Sequence, residues 1–134
     1  MKKITFIAVI SLVVIGCVLA AGCTSNPSNA SEGDIIGTWM LKTDKEVTIM
    51  FDNDGHFGGK APINSYSGSY VMHGNSLSLG DDVIRTLMAG SEEDMAAETT
   101  YLQNLSKVAS YTISNAELLL NDENGQILLT FIRG

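Results

Sequence analysis

The chain has 134 residues and a net charge of −7 at pH 7. This length fits one small domain with a single hydrophobic core. The acidic balance argues against nucleic acid as a partner and against electrostatic adhesion to anionic lipid.

The first 22 residues predict an export signal. Lys2 and Lys3 precede an apolar run from Ile4 to Ala21, and small residues lead up to Cys23. A Cys directly after Ala-Ala-Gly resembles the lipobox of prokaryotic lipoproteins, in which the thiol is alkylated with a diacylglyceryl group and the signal is cut before the Cys. We therefore expect residues 1–22 to be a lipoprotein signal peptide and Cys23 to be the lipidation site.

Other interpretations of this end stay open. The run approaches the ~18 residues at which an apolar stretch becomes a transmembrane candidate, so an uncleaved N-terminal anchor would give the same orientation. Plain secretion is a further alternative, and Cys17 is a second candidate for lipidation. Loss of residues 1–22, with their two lysines, changes the net charge from −7 to −9. Membrane attachment would then depend on acyl chains or on the N-terminal run.

Residues 23–33 are small and polar, which predicts a flexible tether in front of a domain spanning residues 34–134. The tether contains Asn29-Ala30-Ser31, a glycosylation sequon of a kind that is common by chance. Beyond Cys23 the sequence has no cysteine, so the domain cannot contain an internal disulfide, a cysteine-ligated zinc ion or a catalytic thiol.

The domain reads as short strands separated by turns, with one helix. Strands are predicted over residues 35–43, 46–51, 56–60, 66–73, 76–79, 83–88, 108–114, 117–120 and 126–133. Asp54-Gly55 and Gly74-Asn75 indicate tight hairpin turns. Short connections between neighbouring strands imply antiparallel pairing.

The helix is predicted to begin after Ser91, whose hydroxyl precedes three acidic residues that suit the positive end of a helix dipole. Steps of three and four residues predict one apolar face, formed by Met95, Thr99, Leu102, Leu105 and Ala109. The predicted fold class is α+β, with a curled, half-barrel-like antiparallel β-sheet that wraps a single α-helix.

The order of these landmarks resembles the META domain (HslJ-like) family over about residues 34–132. The resemblance rests on Gly37-Thr38-Trp39, on the block from Asn64 to Tyr70, on Thr86-Leu87-Met88-Ala89-Gly90 and on the acidic helix start followed by Glu98. The motif residues, for which we expect a structural or a binding role, are Gly37, Trp39, Asn64, Ser67, Gly68, Tyr70, Thr86 and Met88. The family often has cysteines where this chain has Ile63 and Gly90.

No catalytic residue, metal site or cofactor is expected. A calcium loop of the EF-hand type beginning at Asp52 would need Glu at its twelfth position, where the chain has Ile63. His56 and His73 each adjoin a turn and have no neighbouring third metal ligand. The Gly-x-Ser-x-Gly elbow of serine hydrolases is missing from the sequence.

Two functional hypotheses follow. The first is a non-enzymatic, monomeric, membrane-tethered lipoprotein that contacts another envelope protein; the resemblance implies a domain of largely unassigned activity, loosely linked to stress and antibiotic tolerance. In this reading Trp39 is a core anchor, and Asn64, Ser67 and Tyr70 form a bend of the sheet. The second is a small-molecule carrier whose apolar pocket is lined by Trp39, Tyr66, Tyr70, Leu102 and Leu105.

Overall fold

The computed structural model describes residues 35–134. The predicted signal peptide, Cys17, Cys23, the tether and the sequon at Asn29 lie outside the described residues. Within residues 35–134, no helix has the length and apolar character needed to cross a membrane.

The described part of the chain forms nine strands and a helix, which confirms the α+β class. The strands are β1 (Gly37–Leu41), β2 (Thr48–Phe51), β3 (His56–Lys60), β4 (Ser65–His73), β5 (Ser76–Leu79), β6 (Ile84–Arg85), β7 (Ser110–Ser114), β8 (Glu117–Asn121) and β9 (Ile127–Arg133), and the helix is α1 (Glu92–Ser106). β6 is much shorter than the predicted range 83–88. The Thr86 backbone N–H still donates to the Ser65 carbonyl oxygen of β4, but the Met88 backbone N–H donates to the Asn64 side chain instead of to a strand.

All the strand pairs of the sheet are antiparallel, as predicted. The strand order is β3-β2-β1-β9-β8-β7-β5-β4-β6, and β3 also pairs with β4, so the order returns on itself. The pairing of β5 with β7 consists of one residue pair, Ser76 opposite Ser110. β6 pairs with β4 through Arg85 opposite Tyr66 and Ile84 opposite Ser67. It is the last strand in the order, and its other edge has no strand beside it within residues 35–134.

The core is built from the inward side chains of the strands. Val47, Ile49 and Phe51 are buried while Met50 is 46% exposed, which confirms the alternation predicted for β2. Trp39 is 1% exposed, as predicted for a core anchor. Its Nε1 donates a hydrogen bond to the Ile35 carbonyl oxygen at 2.8 Å, so the indole nitrogen is satisfied inside the core.

The predicted apolar face of α1 is correct for Leu102 and Leu105, which pack in or against the core, and wrong for two other members. Met95 and Thr99 are exposed, whereas the buried residues of the helix are Glu98, Tyr101 and Leu105. The buried face of the helix is therefore centred on Glu98, Tyr101 and Leu105. The prediction missed Glu98 because a periodicity argument assigns every glutamate to the solvent side. Ser91 is the N-cap as predicted, and its hydroxyl oxygen accepts from the Asp94 backbone N–H at 3.1 Å.

β9 also differs from the prediction that Ile127, Leu129 and Phe131 share one face. Leu129 and Phe131 are buried, but Ile127 is 59% exposed. The pairing of β8 with β9 shifts register between Leu120 and Asn121. A bulge at this point breaks the period-2 alternation that the prediction assumed.

Candidate functional site

The most connected polar side chain in the family motif is Asn64, which is 5% exposed and lies just before β4. Its Nδ2 donates to Glu98 Oε1 at 2.7 Å and to the Met88 carbonyl oxygen at 3.3 Å. Its Oδ1 accepts from Thr86 Oγ1 at 2.8 Å and from the Met88 backbone N–H at 2.6 Å. Both donors and both acceptor positions of this amide are therefore used.

Glu98 is the partner of Asn64 on α1, and its side chain is only 6% exposed. Besides the Asn64 amide, it accepts the backbone N–H groups of Ile63 and Asn64 on Oε2, at 2.9 and 2.8 Å. The Arg85 guanidinium lies 3.9 Å from Oε1. Burial raises the pKa of this carboxyl, but the hydrogen bonds and the Arg85 charge outweigh it and hold the pKa below its ordinary value.

The network joins three segments that are far apart in sequence. Thr86 and Met88 precede the helix, Asn64 precedes β4 and Glu98 lies on α1. Thr86 Oγ1 also accepts from the Ser65 backbone N–H at 3.1 Å, so the hydroxyl both donates and accepts. Prediction from sequence named Asn64, Thr86 and Met88 from the family motif but assigned no role to Glu98. Two signals for Glu98 were available: its place in the family resemblance and its position three and seven residues before Tyr101 and Leu105.

The two positions where the family often has cysteines are neighbours in this structure. A Cβ atom added at Gly90 would lie 2.6 Å from Ile63 Cδ1 and 2.9 Å from Ile63 Cγ1. The isoleucine side chain thus occupies space that a side chain at position 90 would need. This contact gives a packing reason for the joint replacement of the two cysteines.

The remaining motif residues lie apart from the Asn64 network. Ser67 is exposed on β4, and Gly68 has no room for a side chain because an added Cβ would meet Phe57 Cε1 at 2.9 Å. The Tyr70 hydroxyl donates to the Asp52 carbonyl oxygen at 2.6 Å. Gly37 has a φ of +118°, and an added Cβ there would lie 3.2 Å from Arg133 Nη1. The structure therefore does not bring all eight motif residues into one site.

A pair of buried tyrosines links the sheet to the helix. The Tyr66 and Tyr101 hydroxyl groups are 2.7 Å apart, and Tyr66 also donates to the Thr48 carbonyl oxygen at 2.8 Å. Because Tyr66 donates to Thr48, Tyr101 donates to Tyr66. Burial, the largest cause, raises the pKa of both hydroxyl groups, so neither is a base near neutral pH.

An apolar surface runs along the segment that the Asn64 network holds. Val83, Ile84, Leu87 and Met88 are 40%, 71%, 85% and 58% exposed, and Met95 on the adjoining helix is 49% exposed. We call these five residues the 83–95 strip. Leu87, Met88 and Met95 line the same open cavity of about 310 Å³, so the segment and the helix contribute to one continuous surface.

A second cavity of about 310 Å³ lies between α1 and the region around β5 and β6. Its apolar lining comes from Phe57, Leu79, Val83, Leu102 and Leu105. Its polar lining comes from Asp81, Arg85 and Ser106, with Gly80 contributing backbone. Leu102 and Leu105 line this cavity, as the carrier hypothesis predicts, but Trp39, Tyr66 and Tyr70 do not. Trp39 is buried in the core. The Tyr66 and Tyr70 hydroxyl groups donate to the carbonyl oxygens of Thr48 and Asp52.

Two small polar clusters lie outside these regions, around Asp52 and around Asp82. His56 Nδ1 lies 3.5 Å from Asp52 Oδ2, and Asp82 accepts from Ser69 Oγ at 2.9 Å. Within residues 35–134, no three His, Cys, Asp or Glu side chains are grouped closely enough to hold a metal ion. Asp52 Oδ1 accepts backbone N–H groups from Asp54 and His56, so it stabilises the hairpin turn.

Comparison with known proteins identifies a family. The model of the META domain matches residues 32–133. Among curated proteins, no match was found.

Solved structures show that the fold has been seen before. An NMR structure of a protein from Burkholderia xenovorans has a TM-score of 0.55 and 23% sequence identity, covering 75% of this chain and 79% of that chain. A crystal structure of a DUF4847 family protein from Bacteroides vulgatus has a TM-score of 0.56 and 15% identity, covering 75% of this chain and 94% of that chain. At these identities the similarity concerns the fold alone.

Proposed function

The chain belongs to the META domain family, and on that premise we propose that it is a non-enzymatic module of the cell envelope. In this account lipid on Cys23 tethers it to the outer face of the cytoplasmic membrane. The domain is a monomer that contacts another envelope protein through the 83–95 strip. The observation that carries this function is the exposure of five large apolar side chains, three of which, Leu87, Met88 and Met95, line one open cavity.

The strip has the character of an interaction surface. Single exposed apolar residues are ordinary on protein surfaces, but contiguous ones mark sites that another molecule covers. The neighbouring edge of β6 has no strand beside it within residues 35–134, so backbone groups are also available there. A partner segment could therefore gain both apolar burial and hydrogen bonds.

The motif residues supply the support for this surface. Asn64 accepts from Thr86 and Met88 and donates to Glu98, which fixes the segment 86–88 against the helix. Since Met88 belongs to the strip and Glu98 lies one turn beyond Met95, the network holds both halves of the strip together. We assign Asn64, Thr86 and Met88 to positioning of the strip, on a curled sheet that wraps the helix.

Site-specific cross-linking in living cells tests the proposal. A photoreactive side chain is placed at Leu87, which is 85% exposed in the strip, and separately at Val71 and Ile127, which are 60% and 59% exposed elsewhere. We expect a discrete cross-linked product from position 87 that is missing from positions 71 and 127. Substituting Ile84→Ser in the same chain should weaken that product because it removes apolar contact area.

Two outcomes would contradict the proposal. Equal cross-linking from all three positions would show that exposure alone determines capture. A lack of any product from position 87, with the protein present at normal abundance in the membrane fraction, would show that the strip has no protein partner.

A further inference from the structure

The cavity beside α1 combines an apolar lining with one arginine that has spare hydrogen-bonding capacity. Five apolar side chains, from Phe57, Leu79, Val83, Leu102 and Leu105, line its volume of about 310 Å³. This volume lies at the lower end of the range for small-molecule sites, roughly 300–1,000 Å³. The lining and the size suit a small ligand with an apolar body.

Arg85 provides the specific polar group. Within residues 35–134, its guanidinium has one charged contact, the 3.9 Å approach to Glu98 Oε1. That distance is too long for a hydrogen bond, and Oε1 already accepts from Asn64 Nδ2 at 2.7 Å. The five N–H donors of Arg85 are therefore free to bind an oxygen ligand, and the planar guanidinium fits a carboxylate in a bidentate geometry.

The charged groups near the cavity determine which charge a ligand can carry. Asp81 also lines the cavity and opposes an anion, while the Glu98 carboxylate is engaged by Asn64 and by two backbone N–H groups. Arg85 is the one basic side chain among the lining residues. Its side chain is 46% exposed, so a ligand can reach it from solvent.

We infer that this cavity binds a small aliphatic or aromatic monocarboxylate, with its apolar body against Phe57, Leu102 and Leu105 and its carboxylate on Arg85. This site is distinct from most of the 83–95 strip, because Val83 is the one strip residue that lines the cavity, whereas Ile84 and Leu87 do not. It moves the carrier hypothesis from the predicted pocket to a different one.

Octanoate is the probe, and octanol and octylamine are matched controls with the same chain and a neutral or positive head. The full chain is reconstituted in lipid nanodiscs, and binding is measured by isothermal titration calorimetry with empty nanodiscs as the blank. We expect octanoate to bind more tightly than either control. Arg85→Gln should weaken octanoate binding about tenfold or more, because it removes charge-assisted hydrogen bonds. Lys107→Gln, a matched loss of one positive charge outside the lining, should leave it unchanged.

The apolar half of the site is tested by filling it. Leu102→Trp places a larger side chain in the cavity and should abolish octanoate binding. If that variant does not fold, Val83→Trp gives the same test, because Val83 lines the same cavity and is 40% exposed. Octanoate binding that survives in a folded Trp variant overturns the assigned location. Equal affinity of the wild type and Arg85→Gln, tighter binding of octylamine, or no heat above the blank would each overturn the inference.

Discussion

At the residue scale, Asn64 shows why one side chain can define a motif. Its amide offers two donors and two acceptor positions, and all of them are used by Glu98, Thr86 and Met88. Aspartate would place a second carboxylate 2.7 Å from Glu98 Oε1, and alanine would remove four hydrogen bonds, including the buried one to that carboxylate. An asparagine is therefore specified by the chemistry of its neighbours.

Replacing Asn64 by alanine should destabilise the domain by about 3 kcal/mol. The substitution removes a buried amide whose partners include a carboxylate, and the loss of such a partner costs more than an ordinary hydrogen bond. Urea unfolding followed by the fluorescence of Trp39 measures the change. Asn75→Ala, at an exposed turn position, is the control and should change stability by less than about 0.5 kcal/mol. Similar effects for the two variants would mean that the network does not stabilise the fold.

Glu98 makes the stability depend on pH in a defined direction. The pKa of its carboxyl is held below the ordinary value of 4.5 in the folded state, so its stabilising contribution is fully present above that value. The contribution is lost as the pH falls through the lowered folded-state pKa, because the unfolded state binds the proton more readily than the folded state does.

We therefore expect the stability difference between the wild type and Glu98→Gln to be constant near neutral pH and to shrink in acid. Unfolding curves recorded from pH 7 down to pH 3 measure it. Glu93→Gln, at an exposed position in the first turn of α1, is the matched control and should show a small, nearly flat difference. A difference that grows as the pH falls would mean that Glu98 is protonated in the native state at neutral pH.

Trp39 is the largest side chain in the core, and Arg133 lies over its ring at 4.2 Å from the centroid. Trp39→Ala should destabilise the domain by about 3–5 kcal/mol, since it leaves a cavity and removes the hydrogen bond to Ile35. Thermal unfolding followed by circular dichroism measures the loss. Normal stability in the alanine variant would show that Trp39 does not support the core.

At the element scale, β2 and α1 show what periodicity can and cannot predict. The alternation in β2 needed only local sequence, because its inward residues are all apolar. The phase of α1 depended on Glu98, whose burial is stabilised by Asn64, 34 residues away in sequence. Local patterns carry no information about such a partner, so the helix and the burial of Leu105 were predicted but the burial of Glu98 was not.

The hairpin between β7 and β8 contains a strained residue. Asn115 and Ala116 have φ values of +52° and +63°, which is the backbone of a tight hairpin turn that favours Asn-Gly. Because alanine is disfavoured in this conformation, Ala116→Gly should stabilise the domain by about 1 kcal/mol. Urea unfolding measures the gain. The control Ala96→Gly, on the exposed surface of α1, should instead cost about 1 kcal/mol. Destabilisation by both glycines would contradict the turn geometry.

At the scale of the whole molecule, the sequence predicted the class of the fold but not its cavities. Antiparallel neighbours, including β3 and β4, followed from short connections, whereas the pairings of β1 with β9 and of β5 with β7 join strands that are not consecutive in sequence. The second cavity lies between β6 and α1. Its apolar helix lining, Leu102 and Leu105, was predicted, whereas Phe57, Leu79 and Val83 come from strand and loop positions that were not predicted to line a pocket. This is why the predicted pocket residues and the observed ones overlap only at Leu102 and Leu105.

The proposed function requires attachment of this domain to a membrane through Cys23. The direct measurement is the intact mass of the native protein extracted from membranes, beside a Cys23→Ser variant. We predict a wild-type mass equal to residues 23–134 plus a lipid adduct, and no adduct in the variant. An unmodified mass that includes residues 1–22 would contradict lipidation and would leave an uncleaved N-terminal anchor as the means of attachment.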